Sequence, residues 1–165
     1  MENKTGKIIV FVEIPKGSWQ KYEFDEELGG IKLDRSNYSP MYEPFDYGFI
    51  KDTKGEDGDA LDCVLLSAFP TFPGCLVEAR VIGVLEMEDE EGIDHKILAL
   101  PAEKVDPRMA HIKELDDLPE HTKKEVREYF ENYKNLEPGK WVKLKDFKGQ
   151  KEAEKIIEEA KKRSK

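Results

Sequence analysis

The stretch Cys75–Met87 constrains this chain more than any other. Its odd positions Cys75, Val77, Ala79, Val81, Leu85 and Met87 are apolar, with Gly83 the one gap. Side chains on a strand point alternately to its two faces, so this spacing predicts one long strand with an apolar face. Such a strand needs paired neighbours and a cover over that face. The neighbours are legible. Lys7–Ile14 alternates, with Ile8, Val10, Val12 and Ile14 on one face and Ile9, Phe11 and Glu13 on the other. Gln20–Asp25 and Ile31–Asp34 flank the turn Leu28-Gly29-Gly30 and read as a hairpin. Ala60–Ala68 predicts a buried strand, and the turn Glu88–Gly92 reverses the long strand into His95–Leu100. Ser36–Phe45, rich in Pro, Asn, Ser and Tyr, reads as a loop, and Trp141–Lys145 as a last strand.

The cover is helical. Pro119 fits a first helical position, and Val126, Tyr129, Phe130 and Tyr133 follow a helical stripe. Ala153, Ile156, Ile157 and Ala160 recur at i, i+3, i+4 and i+7, which predicts a final amphipathic helix. Short strands followed by two helices predict an α+β design, mainly β: a small barrel with helices packed outside it. At 165 residues the chain reads as a single domain over 1–165.

Net charge −9 argues against nucleic acid and anionic membranes as partners and suits a cation binder. Cys63 and Cys75 lie in apolar runs with no CxxC or His-rich partner, so both read as free thiols. No apolar run approaches the roughly 18 residues of a membrane span. Met1-Glu2-Asn3-Lys4 carries no signal-peptide core, and the expected location is the cytoplasm.

Candidate chemistry centres on Asp57-Gly58-Asp59-Ala60-Leu61-Asp62. Carboxylates this close repel one another unless a positive charge sits among them. Hard cations such as Mg²⁺ take oxygen ligands from one or a few carboxylates and fill the rest with water or phosphate. A solvated acidic turn is the plainer reading, but Asp62 runs directly into Cys63-Val64-Leu65-Leu66 and so borders the core. An EF-hand loop is excluded, because Leu61 stands where it needs Asp or Asn. Asp89 and Asp94 flank Glu90-Glu91-Gly92, and Lys96 shares a strand face with Asp94. Phosphate also needs cations, for which Lys21, Arg35 and Lys134 are candidates. Each has a bland alternative: an ion pair with Glu23, a surface Arg, and a Lys favouring a helix C-terminus. Tyr47 and Tyr133 read equally as packing aromatics.

The ordered set is more specific than its parts. Val12-Glu13-Ile14-Pro15, Lys21-Tyr22-Glu23, Asp34-Arg35, Pro44 to Ile50, Asp57 to Cys63, Gly83-Val84-Leu85, Asp89, Asp94, Lys96, Tyr133-Lys134 and Gly139-Lys140-Trp141 resemble, in order and spacing, the family I soluble inorganic pyrophosphatases. The resemblance spans Ile8 to Lys145 and implies a five-stranded OB-like β-barrel with flanking helices. It implies hydrolysis of inorganic pyrophosphate to two orthophosphates. Asp57, Asp62 and Asp94 would bind the activating metals, with Asp62 between two of them, and Asp89 would share a further metal with Asp94. Glu13 and Glu23 would form an acidic rim with metal or water contacts. Lys21, Arg35, Tyr47, Lys96, Tyr133 and Lys134 would hold substrate and leaving phosphate, and Asp59 would accept the proton of the attacking water. Several Mg²⁺ per site are implied, with Mn²⁺ or Zn²⁺ as substitutes, and a homo-oligomer, a hexamer being favoured.

Two positions depart from the family pattern. Glu43 precedes Pro44 where Tyr is common, and Ala60 stands where the acidic signature usually has Pro or Glu. Two other readings compete: an OB-like module binding oligonucleotides, and a catalytically weak cation-binding relative.

Overall fold

The computed structural model describes residues 6–165. Its strands are β1 (Lys7–Ile14), β2 (Gln20–Asp25), β3 (Gly30–Ser36), β4 (Asp46–Ile50), β5 (Asp62–Leu65), β6 (Leu76–Asp89), β7 (Gly92–Ile93), β8 (Lys96–Pro101) and β9 (Val142–Gly149). Helix α1 (Glu120–Asn132) precedes β9, and α2 (Gln150–Ser164) follows it directly. Met1-Glu2-Asn3-Lys4, read above for targeting, lies outside the described residues. Among the described residues no helix is long and apolar enough to cross a membrane.

Strand β6 organises the rest. Its first half pairs with β1, its middle with β8 and its second half with β9, all antiparallel. From β1 the sheet runs through β4, β5 and β8 back to β6, so five strands close on themselves as the expected barrel. All pairings in the ring are antiparallel except β5 with β8, which is parallel. Closure leaves no free edge within the ring, and β2–β3 stands apart as a two-stranded hairpin.

The apolar face expected along β6 is divided. Val77, Ala79 and Val81 join one core cluster, together with Ile8, Val10 and Val12 of β1, Cys63 and Leu65 of β5, and Ile97 and Ala99 of β8. The register with β8 then shifts between Val81 and Gly83. Beyond that bulge the odd positions Leu85 and Met87 join a second cluster, and the even position Val84 stays with the first. One inserted residue exchanges the two faces, and it lets a single long strand serve two cores. Ala153 and Ile157 of α2 complete the first core. Val126, Tyr129 and Phe130 of α1 pack into the second.

The boundaries differ in places. The buried strand expected over Ala60–Ala68 is confined to Asp62–Leu65, because Asp57 to Asp59 turn and bend and the ladder ends after Leu66 N donates to Ala99 O. The last strand runs to Gly149 rather than Lys145. Pro119 is the N-cap residue, not the first helical one; its ψ of 136° is extended. Strand β4 was not expected at all. It is short and contains Gly48, a weak strand signal. Its start is fixed by Asp46, which is fully buried and accepts from Lys16 N (2.7 Å), Ser67 Oγ (3.1 Å) and Thr71 Oγ1 (3.0 Å).

Gly48 sits between Val12 of β1 and Cys63 of β5. A Cβ there would lie 1.9 Å from the Phe11 carbonyl oxygen. Strands in a closed ring cannot slide apart to relieve such a contact. Gly48→Ala is therefore expected to destabilise the fold by about 2 kcal/mol or more. Thermal unfolding checks this, and an unchanged midpoint would contradict the close approach.

Candidate active site

The expected site residues come from separate parts of the sheet and its connections. Glu13 lies next to the end of β1, Lys21 and Glu23 lie on β2, and Arg35 lies on β3. Tyr47 comes from β4, Asp62 opens β5, Asp89 ends β6, and Lys96 opens β8 just after Asp94. Tyr133 and Lys134 follow the last turn of α1.

Lys96 is the centre of the constellation. Its Nζ donates to Asp62 Oδ2 at 2.7 Å, Asp94 Oδ2 at 2.8 Å and Tyr47 Oη at 2.8 Å. The Lys96 side chain is 3% exposed, whereas those of Asp62 and Asp94 are 32% and 22% exposed. The cation is thus the floor, and the carboxylates reach from it toward solvent. Burial opposes the charge on Lys96, but Asp62, Tyr47 and Asp94 outweigh it and hold its pKa well above the usual lysine value. Asp94 is pushed up, first by burial and then by the neighbouring Asp62 charge, against the pull of Lys96.

A second cation stands nearby. Lys134 Nζ donates to Asp89 Oδ2 at 3.0 Å and lies 3.5 Å from Glu90 Oε1. Burial lowers its pKa, yet Tyr133, Asp89 and Glu90 prevail and the net shift is upward. Lys21 Nζ donates to Glu43 Oε1 at 3.1 Å. Arg35 pairs with Asp34, its Nη2 donates to Glu137 Oε2 at 3.4 Å, and its Nε lies 2.8 Å from Glu137 Oε1. Aromatic rings form the supporting layer. Lys21 Nζ lies 4.7 Å from the Tyr133 ring centre, and Lys96 Nζ lies 5.4 Å from that of Tyr47. Phe130 stacks on Phe45 beneath them. Ring faces carry partial negative charge and favour these cations.

Glu13 adds to the acidic side. Its Oε2 accepts from Phe24 N at 2.7 Å, which ties the β2–β3 hairpin to β1. Its pKa is pushed up to about 7, chiefly by burial, with the Asp62 and Glu23 charges adding to it.

Asp57 and Asp59 are placed differently. Both are exposed in the loop before β5. Asp59 N donates to Asp57 Oδ1 at 3.0 Å, and Gly55 N donates to Asp59 O at 2.6 Å, so the turn is held by its own short bonds. Thr53 anchors it, with its hydroxyl donating to Ile50 O and accepting from Leu61 N. Neither carboxylate shares the Lys96 bonds of Asp62 and Asp94. Three further groups escaped the sequence reading as partners: Glu137 on Arg35, Glu90 on Lys134 and Tyr129 on Glu43. Glu90 lies in an acidic turn and Glu137 just before Pro138-Gly139, so both resemble solvated turn residues, and Tyr129 sits on a helix face that reads as core.

Among the described residues no group of three or more Asp, Glu, His or Cys forms a ready-made metal cage. The donor chemistry nevertheless fits a hard divalent cation. Asp62 and Asp94 converge on one point, burial and mutual repulsion raise Asp94 and Glu13, and all the donors are oxygens.

A closed barrel that gathers convergent carboxylates beside buried, partnered lysines offers the donors that hard cations and phosphate groups take. The inorganic pyrophosphatase family matches residues 10–165. An inorganic pyrophosphatase of Aquifex pyrophilus is 48% identical over 98% of this chain and 89% of its own length. One from Sulfolobus acidocaldarius is 48% identical over 98% of this chain and 94% of its own. Among solved structures, the Helicobacter pylori pyrophosphatase superposes with a TM-score of 0.95 at 43% identity, covering 99% and 96% of the two chains. That of Thermus thermophilus gives 0.94 at 43% identity, covering 99% and 94%. The chain belongs to the family I soluble inorganic pyrophosphatases, enzymes that hydrolyse inorganic pyrophosphate, and a divalent metal cofactor goes with that family.

The raised pKa of Glu13 has a consequence for stability. A carboxyl group at about 7 when folded and 4.5 when unfolded binds more protons in the folded state between those values. Stability is then lost as pH rises through that window. In EDTA, Glu13→Gln is expected to melt higher than the parent protein at pH 8 and nearly with it at pH 4.5. The Gln carbonyl still accepts from Phe24 N. Thermal melts across this range test the point, and a pH-independent difference between the two proteins would refute it.

Proposed function

We propose that the enzyme is Mg²⁺-dependent, with Asp57, Asp62, Asp89 and Asp94 as the metal-binding carboxylates and Glu13 and Glu23 at their rim. The observation that carries this reading is the convergence of Asp62 and Asp94 on the buried Lys96, with Asp89 on Lys134 beside it. Carboxylates held this way need cations, and phosphate needs the same lysines. When bound, Mg²⁺ supplies charge neutralisation at the phosphate oxygens and acidifies water near neutral pH.

The chain's own groups do the rest. Lys21, Arg35, Lys96 and Lys134, with the hydroxyls of Tyr47 and Tyr133, bind pyrophosphate and orient it for in-line attack. Burial raises the pKa of both tyrosines, so both present O–H donors over the working range. Arg35 and Lys134 stabilise charge on the departing phosphate. Asp59 takes the proton of the attacking water, and its exposure suits it to pass that proton on to solvent. Residues 1–165 act as one pyrophosphatase domain, in the cytoplasm and as a homo-oligomer, with a hexamer favoured. Mn²⁺ or Zn²⁺ can stand in for Mg²⁺. Net charge −9 and the carboxylates of the site disfavour nucleic acid as a ligand.

Phosphate release from pyrophosphate is expected to require Mg²⁺ and to stop in excess EDTA. Asp59→Asn and Asp62→Asn are each expected to lower kcat by about 10²-fold or more. Full activity in Asp62→Asn would sink the mechanism, and salt-sensitive binding of single-stranded nucleic acid without turnover would replace it.

A further inference from the structure

Glu43 lies in the loop before β4 and is 2% exposed. Its Oε1 accepts from Lys21 Nζ at 3.1 Å and from Tyr129 Oη at 2.8 Å. Its Oε2 is buried and has no hydrogen-bond partner. Lys21 is therefore the cation of a pair that is closed off from solvent on the carboxylate side. A buried carboxylate is costly without such a partner.

Lys21 also faces the site. Its Nζ stands over the Tyr133 ring, and its charge is felt at Glu13. An ammonium group has three donors but a single positive charge. Phosphate oxygens and Glu43 both draw on that charge, in surroundings where water screens it weakly. We propose that Glu43 is a positioning residue that sets the affinity for pyrophosphate by holding Lys21 as an internal counter-ion. The proposal rests on the assignment of Lys21 to substrate. Substrate binding exchanges part of the Lys21–Glu43 attraction for a Lys21–phosphate one, so the site holds pyrophosphate and product phosphate less tightly than its cations alone would. Tyr129 moderates the hold, because its hydroxyl takes part of the charge on the same oxygen.

The test measures KM and kcat for pyrophosphate at fixed free Mg²⁺, with inhibition by inorganic phosphate alongside. Glu43→Gln keeps an acceptor for Lys21 and Tyr129 but removes the charge. It is expected to lower KM roughly three- to tenfold, with a smaller change in kcat and a parallel fall in the phosphate inhibition constant. Adding Lys21→Met to Glu43→Gln removes the pair together, leaves no unpaired buried charge, and is expected to raise KM again. If that addition leaves KM unchanged, the assignment of Lys21 to substrate fails. If it raises KM while Glu43→Gln alone leaves KM unchanged or higher than the parent, the assignment stands and the counter-ion proposal is overturned. Should Glu43→Gln not fold, Tyr129→Phe decides the matter. It leaves Oε1 to Lys21 alone and is expected to raise KM roughly two- to fivefold. An unchanged or lowered KM in that variant overturns the proposal.

Discussion

The buried ammonium group of Lys96 is the interaction on which the site depends. Two carboxylates and a phenol share it at hydrogen-bond distance. Without it, Asp62 and Asp94 would repel each other at the edge of a dry core. With it, they are held together and aimed outward, at a strength that bulk water would not permit. The same economy recurs at Lys134 with Asp89 and at Lys21 with Glu43. Each positive group proposed to meet phosphate is paired with at least one carboxylate. The site is thus preorganised, and its carboxylates still outnumber its cations, which suits a substrate that arrives with cations of its own.

This arrangement needs a rigid frame, and the closed ring of strands supplies one. Lys96 and Asp62 start the parallel neighbours β8 and β5, so one end of the barrel gathers them. Tyr47 reaches the same place from β4 because β4 pairs with β5 in register Tyr47 to Val64. Gly48 allows β1 and β4 to approach closely just beside Tyr47. The aromatic layer of Phe45, Tyr47, Tyr129, Phe130 and Tyr133 then serves two purposes. It buries apolar area between barrel and α1, and it offers ring faces to Lys21 and Lys96.

Parts of this frame were legible because they rest on local periodicity. The alternation in Lys7–Ile14 matches the burial seen along β1, and the spacing of Ala153, Ile157 and Ala160 matches the buried face of α2. The apolar pattern of β6 was legible too, but its division between two cores was not. A bulge is one residue out of register with a neighbour, and nothing in the strand's own alternation marks it. Strand β4 escaped for a related reason. Its strand character comes from partners on both sides and from the buried Asp46 at its start, not from its own composition.

The sequence by itself determined which groups this protein has for chemistry, because the ordered carboxylates, lysines and tyrosines are fixed by spacing along the chain. It also determined that strands would dominate and that two amphipathic helices would cover them. Only the tertiary structure decided which charge meets which. Lys96 was expected beside Asp94, its near neighbour, but Asp62 lies far away in sequence and joins them only when β5 lies alongside β8. Glu43 stands in a stretch that reads only as a loop, and folding makes it a buried partner of Lys21 and Tyr129. The physical reason is that ion pairs form across space, between strand ends that closure brings together, whereas periodicity reports only which face of its own element a residue occupies.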